Sequence, residues 1–267
     1  MQLSLKTALL ALIGLPAAAT VSFAARPLII DDAAPLECGQ CKIEGGGWYE
    51  KDASCHDWLW PLGLGYGLVP SLEANLGLGG TFQQQLDIDE NGAECVNSAS
   101  GMGDVVASVK WQFLEESGWI PSQAVVPAVK FPTASKDNGL GSGEMDYDLT
   151  WIASKSLSDK WGAHVNFGYA FIGKPADKDA GDVIHYGVSI DCIVADPLQW
   201  VGEIYAEKEL LGGTDHIVMF NTGLRWTVMD GLVLDAAAGS SISRAGPDLI
   251  ATAGFTWTFG FAETKDR

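Results

Sequence analysis

The chain has 267 residues, a formal net charge of −18, only 19% charged residues, 32 Gly and 10 Trp. That balance argues against a nucleic-acid partner, because phosphates call for a basic surface. The length fits one undivided all-β domain.

Residues 1–24 read as a secretory signal peptide, with Lys6 near the front, an apolar run from Ala8 to Leu15 and a small-residue exit around Ser22-Phe23-Ala24. The run is too short for an anchor, since a spanning helix needs about 20 apolar residues. Nor is any later stretch long and continuous enough to be one. Residues 25–37 carry ARPLIIDDAAPLE, a segment that either stays periplasmic or plugs the lumen of the domain after it.

Residues 38–261 read as a transmembrane antiparallel β-barrel of about 12 strands, and 262–267 as a C-terminal tail. Strands are expected near 39–51, 57–69, 71–84, 101–115, 121–132, 144–156, 160–173, 182–194, 197–209, 214–228, 232–241 and 247–260. Most exceed the usual soluble strand of about 5–6 residues. They suit a tilted membrane crossing of roughly 9–11 residues plus ends. Connections alternate in length. Val69-Pro70-Ser71, Ser158-Asp159, Ala195-Asp196-Pro197 and Met229-Asp230-Gly231 read as tight turns. QQLDIDENGAECVNSAS, TASKDNGLGSG and GKPADKDAGD read as long polar loops. Short turns at one end and long loops at the other are the habit of outer-membrane barrels.

Each strand has two faces. In 160–171, Trp161, Ala163, Val165, Phe167, Tyr169 and Phe171 alternate with Gly162, His164, Asn166, Gly168 and Ala170. Strict alternation means a strand between two different surroundings. The oily faces carry almost no charge, so they are assigned to lipid. The other faces place Glu73, Asp104, Lys110, Lys130, Asp146, Asp148, His164, His185, Asp191, Glu203, Glu207, Arg225 and Asp235 toward a lumen. These are the candidate translocation path. Trp111, Trp161, Trp200, Trp226 and Trp257 fall toward the periplasmic rim, and Trp48, Trp58 and Trp60 toward the outer rim. They form two aromatic girdles at the headgroup levels. A three-residue turn at Met229-Asp230-Gly231, with Gly in the left-handed place, sets Arg225 opposite Asp235.

RPLIIDDAAPLECGQCKIEGGGWYEKD, GMGDVVASVKWQFLEE and KFPTASKDNGLGSGEMDYDLTWIASKSLSDKWGAHVNFGYAF resemble the phenol-degradation meta-pathway outer-membrane proteins, a family often labelled transporter. The resemblance spans most of the mature chain. It implies an outer-membrane barrel, sometimes encoded beside aromatic-compound catabolism, and fixes no substrate.

The resulting expectation is a monomeric channel in the outer membrane of a Gram-negative bacterium, passing small solutes passively. Aromatic or hydrophobic cargo is implied by the resemblance alone. Outer-membrane lipid and a small-molecule solute are the expected partners. Two other readings stay open: a structural or adhesin-like barrel with a packed lumen, and an outer-membrane hydrolase. The second is disfavoured. His164, His185 and His216 lie in strands, two of them pointing inward, without an evident Ser-Asp partner set on the lipid face, and the adjacent His56 and Asp57 face opposite ways.

Cys38-Gly39-Gln40-Cys41 lacks the His of a haem site, since Lys42 stands next, and lacks a second pair for zinc. A local disulfide competes there with free thiols, the oxidising compartment favouring the bridge. Cys55 and Cys95, in the first and second outer loops, are expected to bridge. Cys192 is a small apolar residue facing lipid. The loop Asp87-Ile88-Asp89-Glu90-Asn91-Gly92 resembles the front of a calcium loop, but Ser98 stands where the closing Glu belongs. It reads as an acidic solvated loop, so no metal or cofactor is expected.

Overall fold

The computed structural model describes residues 26–52, 55–88, 94–176 and 179–260. The expected signal peptide, the expected C-terminal tail and most of the calcium-like loop lie outside them. The described residues hold no helix, only strands: β1 (Gln40–Asp52), β2 (Cys55–Val69), β3 (Leu72–Ile88), β4 (Glu94–Met102), β5 (Val105–Leu114), β6 (Ser122–Phe131) and β7 (Asp146–Ser156). Then come β8 (Trp161–Phe171), β9 (Val183–Ala195), β10 (Leu198–Glu209), β11 (His216–Met229), β12 (Leu232–Ser241) and β13 (Leu249–Gly260).

Each strand pairs antiparallel with its neighbours, and the ring closes where β1 meets β13. This is a closed twelve-stranded barrel, because β4 and β5 are two arms of one bent strand. β5 pairs the lower part of β3 from Leu72↔Trp111 to Gly77↔Val106, and β4 pairs its upper part from Gly80↔Met102 to Ile88↔Glu94. The bend falls at Gly103-Asp104. The polar stretch from Gln84 to Ser100, expected as a loop, is thus mostly a hairpin standing above the barrel. Its backbone groups find partners in each other, which a loop of that length would leave to water.

The start of β1, the end of β13 and the short turns at 70–71, 196–197 and 230–231 share one end; the long connections at 132–145 and 172–182 share the other. At the short-turn end, β11 and β12 are joined through Asp230 and Gly231, with a register shift between Thr227 and Met229. That extra residue brings Arg225 opposite Asp235. Gly231 has φ +78°, and a Cβ there would run into the Thr258 carbonyl oxygen. Gly231→Ala is therefore expected to lower barrel stability by at least about 1–2 kcal/mol, the cost of a left-handed L-residue before any clash. A thermal midpoint from heat-modified mobility in SDS gels, unchanged by the substitution, would refute this.

The outward faces are apolar. Tyr49 stacks near Trp58, and Trp58 lies parallel to Trp60 toward the long-loop end. Trp111, Trp161, Trp200, Trp226 and Trp257 circle the short-turn end, with Trp119 beyond them in the 115–121 turn, almost fully exposed. Trp48 corrects the girdle assignment. It shares the face of Glu44 and Glu50, donates its indole N–H to Glu50 Oε1 at 2.7 Å and pairs with the inward Thr252. Counting from the strand's end placed it outside; the ladder's parity puts it in the lumen.

The cysteines also differ from expectation. Cys38 and Cys41 are free thiols. Cys38 sits in the turn before β1 and donates to the Leu68 carbonyl at 3.4 Å, whereas Cys41 has already joined the ladder between Tyr66 and Phe259. The side chains of Cys55 and Cys95 lie outside those described. Their backbones stand on opposite sides of β3, facing Gln85 and Asp87. A bridge would cross roughly 9–10 Å of sheet, against the usual Cα separation of about 4.4–6.8 Å.

Candidate functional site: the plugged lumen

The interior is occupied by the chain's own N-terminal segment. Leu28, Ile30, Asp31 and Ala33 are all buried, and Ala33 packs with Ala124 and Ile152. Of the two places open to residues 25–37, periplasm or lumen, the described part, 26–37, takes the lumen: it is a plug.

The plug has no regular secondary structure, so its backbone groups need partners from the wall. Glu203 of β10 accepts from the Ile29 N–H at 2.8 Å and the Ile30 N–H at 2.8 Å. Ser154 of β7 accepts from the Ala33 N–H at 2.8 Å. Glu73 of β3 accepts from the Leu36 N–H at 2.9 Å. With its amide oriented to satisfy both groups, Asn166 of β8 donates to the Asp31 carbonyl at 2.9 Å and accepts from the Asp31 N–H at 2.8 Å. Charge adds to this. Arg26 reaches Asp235 at 3.2 Å and Thr252 at 3.0 Å, and Lys110 reaches Asp31 at 2.8 Å. Arg225 donates to the Arg26 carbonyl at 2.6 Å. A charged donor or acceptor makes such bonds about twice as strong as neutral ones.

Glycines on the wall keep room for the segment. A Cβ at Gly46 would lie 2.6 Å from the Arg26 guanidinium, and one at Gly187 would lie 2.6 Å from Ile30 Cδ1.

All the proposed path residues sit on inward faces or, for Asp104, at the bend before β5. They are not one open acidic lining. Lys130 bridges Asp146 at 2.5 Å and Asp104 at 3.5 Å, and Asp104 also accepts from the Ala134 N–H, tying the 132–145 loop to the wall. Lys42, a residue absent from the sequence-derived set, pairs with Glu73 at 3.3 Å and Glu44 at 3.6 Å. His185 meets Asp148 at 2.7 Å. Gln199 donates to Asp191 at 2.7 Å and accepts from Arg225 at 3.2 Å. Above the plug the balance changes. Glu207 receives the Tyr205 hydroxyl, Glu50 and Asp57 face each other across β1 and β2, and Glu50 lies within electrostatic reach of both Asp57 and Glu207. Glu50 and Asp57 were not in the sequence-derived set. The alternation of β1 and β2 could have found them.

The expectation about the histidines concerned the lipid face; in the lumen, His164 does have partners of the Ser-Asp kind: Nδ1 lies 2.8 Å from Ser154 Oγ, and Nε2 lies 2.8 Å from Asp191 Oδ1. The three residues stand on three successive strands, β7, β8 and β9. Nothing local in the sequence joins them. Among the described residues, no cluster of His, Cys, Asp and Glu could hold a metal ion.

The barrel is similar to an outer membrane channel from Pseudomonas putida F1, with TM-score 0.69 and 14% identity over 85% of this chain and 98% of that one. It is similar to the translocator domain of the autotransporter NalP from Neisseria meningitidis, with TM-score 0.55 and 11% identity over 84% and 90%. The NanC porin gives TM-score 0.54 and 8% identity over 82% and 100%. These likenesses, with the apolar outward band, make this an outer-membrane β-barrel. No curated protein sequence matches the chain. A family model matches residues 49–259, nearly the whole barrel, and the chain therefore belongs to the family described as "Putative MetA-pathway of phenol degradation".

Proposed function

We propose that the barrel is an outer-membrane channel for passive passage of small solutes. One observation carries this reading: a chain segment outside the strand ladder, 26–37, lies in the bore among the wall side chains. The wall is glycine-lined where the plug lies, so a displaced plug leaves a space instead of a collapsed core. The family's description points to aromatic or hydrophobic compounds as cargo. A sealed structural barrel is the competing reading, supported by the ion pairs that fix the plug. Liposome swelling and planar-bilayer conductance of the purified full chain separate the two, since a sealed barrel passes neither solute nor ions.

Ion preference is set by the outer half of the lumen. Most inward acids are matched by a Lys, Arg or His; above the plug, Glu50, Asp57 and Glu207 outnumber His185, which lies opposite Glu207 and also serves Asp148. Clustered carboxylates in a confined pore concentrate cations and repel anions. The reversal potential across a salt gradient is expected to show cation preference. Replacing Glu50 and Glu207 with Gln should move it toward zero, and so should 1 M salt, where the Debye length is about 3 Å. An anion-selective wild type would overturn this.

A further inference from the structure

The plug covers a group whose chemistry transport does not need. Ser154 Oγ, His164 and Asp191 form a continuous hydrogen-bonded relay with both links at 2.8 Å. That is the arrangement of a hydroxyl nucleophile, a base within reach of its proton and a carboxylate orienting the base. Ser154 and His164 are direct cross-strand partners on β7 and β8. Asp191 enters from β9, opposite Gly162. A Cβ at Gly162 would lie 2.5 Å from the Asp191 carboxylate, so the glycine is what lets the carboxylate lie across the strand toward the imidazole. Gln199 holds the other carboxylate oxygen at 2.7 Å.

The plug lies on this relay as an amide ligand would. The Ala33 N–H rests on Ser154 Oγ, and the Asp31 carbonyl rests on the Asn166 side-chain amide. Asn166 is two residues along β8 from His164, on the same face. It is thus an amide donor aimed at a plug carbonyl one peptide unit before the group that Ser154 touches, the kind of donor an oxyanion site requires. In the closed barrel both the Ser154 hydroxyl and the Asn166 amide are taken by the plug, and Ser154 is buried.

We propose that Ser154, His164 and Asp191 form a latent acyl-transfer site in the lumen, blocked by residues 31–33 and reactive toward small esters that reach the bore when the plug moves. His164 Nδ1 takes the Ser154 proton as Oγ bonds to the ester carbonyl carbon, and Asn166 donates to the developing oxyanion. The carbon–oxygen bond to the alcohol breaks, and His164 returns the proton to the departing alkoxide. Water then attacks the acyl-Ser154 ester and gives a proton to His164. The acid leaves, and Ser154 Oγ recovers the proton. Asp191 is a positioning residue that fixes the ring and its tautomer.

The test uses the full chain in detergent and in liposomes, treated with diisopropyl fluorophosphate. A single phosphorylated residue, located by fragment mass spectrometry at Ser154, is expected, with fluoride released one for one. Arg26→Ala, which loosens the plug, should raise the labelling rate at least tenfold. With p-nitrophenyl butyrate, turnover should vanish in Ser154→Ala and in His164→Gln. Asp191→Asn should lower kcat with KM little changed, which a merely structural loss would not do selectively. Each variant is checked for heat-modified gel mobility as evidence of a closed barrel. No adduct at Ser154 in either wild type or Arg26→Ala overturns the proposal, and so does ester turnover that survives Ser154→Ala. Both readouts are independent of conductance, so a barrel can fail as a channel and still pass this test.

Discussion

Arg26→Ala is expected to turn a mostly closed barrel into one with frequent large conductance. Arg26 anchors the innermost described end of the plug. It holds Asp235, whose side chain is 1% exposed, and Thr252. Removing one member of a buried pair costs up to about 3–5 kcal/mol, and Arg225, opposite Asp235, offsets only part of the lost attraction. Asp235 belongs to the wall and stays where it is, so the loss falls on the docked plug. A shift of about 3 kcal/mol or more corresponds to a change of roughly 100-fold in the ratio of undocked to docked plug, at about 1.4 kcal/mol per decade. Single-channel recordings should show open probability rising by about that factor, and liposomes should swell faster in small sugars. Unaltered conductance in a barrel that still folds would mean that the plug does not gate the bore.

Lys110→Met should be the most destabilising single change in the wall. The Lys110 side chain is 4% exposed and meets Asp31 at 2.8 Å, with Asp32 and Glu73 also in its field. Its loss strands an acid in a space closed to water, at about 3–5 kcal/mol. Asp31→Leu alone should cost a similar amount, by stranding Lys110. The double variant should recover much of the loss, since an apolar pair of similar volume replaces a buried ion pair at little net cost. The coupling between the two sites is the quantity to measure, from urea midpoints followed by Trp fluorescence in detergent. Additive single effects would show that the two side chains do not act as a pair.

The barrel was legible in the sequence because its signal is a period of two, repeated in every strand and read without knowing any partner. The Arg225–Asp235 register was legible for a related reason, since one short turn with a glycine in a special conformation fixes it. The plug was not legible. Its residues have no periodicity, and their partners come from strands scattered from β3 to β13. The Ser154–His164 contact needed only a count back from the Ser158-Asp159 turn, but Asp191 required the next hairpin as well, and long loops hide such registers. The charged lining was assigned to the inner face from alternation alone. Its mutual pairing depends on which acid lies across from which base, and face parity alone does not encode that. Trp48 was misplaced because nearness to a strand end was weighed above parity.

The plug and the seam have a further consequence, for the order of events as the barrel is built. Residues 26–37 lead straight into β1, and β1 is zipped to β13 over twelve residue pairs, from Gln40↔Gly260 to Lys51↔Leu249. β13 is the last of the described strands, so the ring cannot close until it has been delivered. By then the plug, the first described part of the chain, has been waiting longest. If β1 docks with the plug tucked beneath the curling sheet, closing the wall and filling the bore are a single step. If the wall closes first, the plug must thread back in from the short-turn end past a charged lining. Slow threading would appear as a transient leaky barrel, already resistant to SDS but still open to protease at its leading segment.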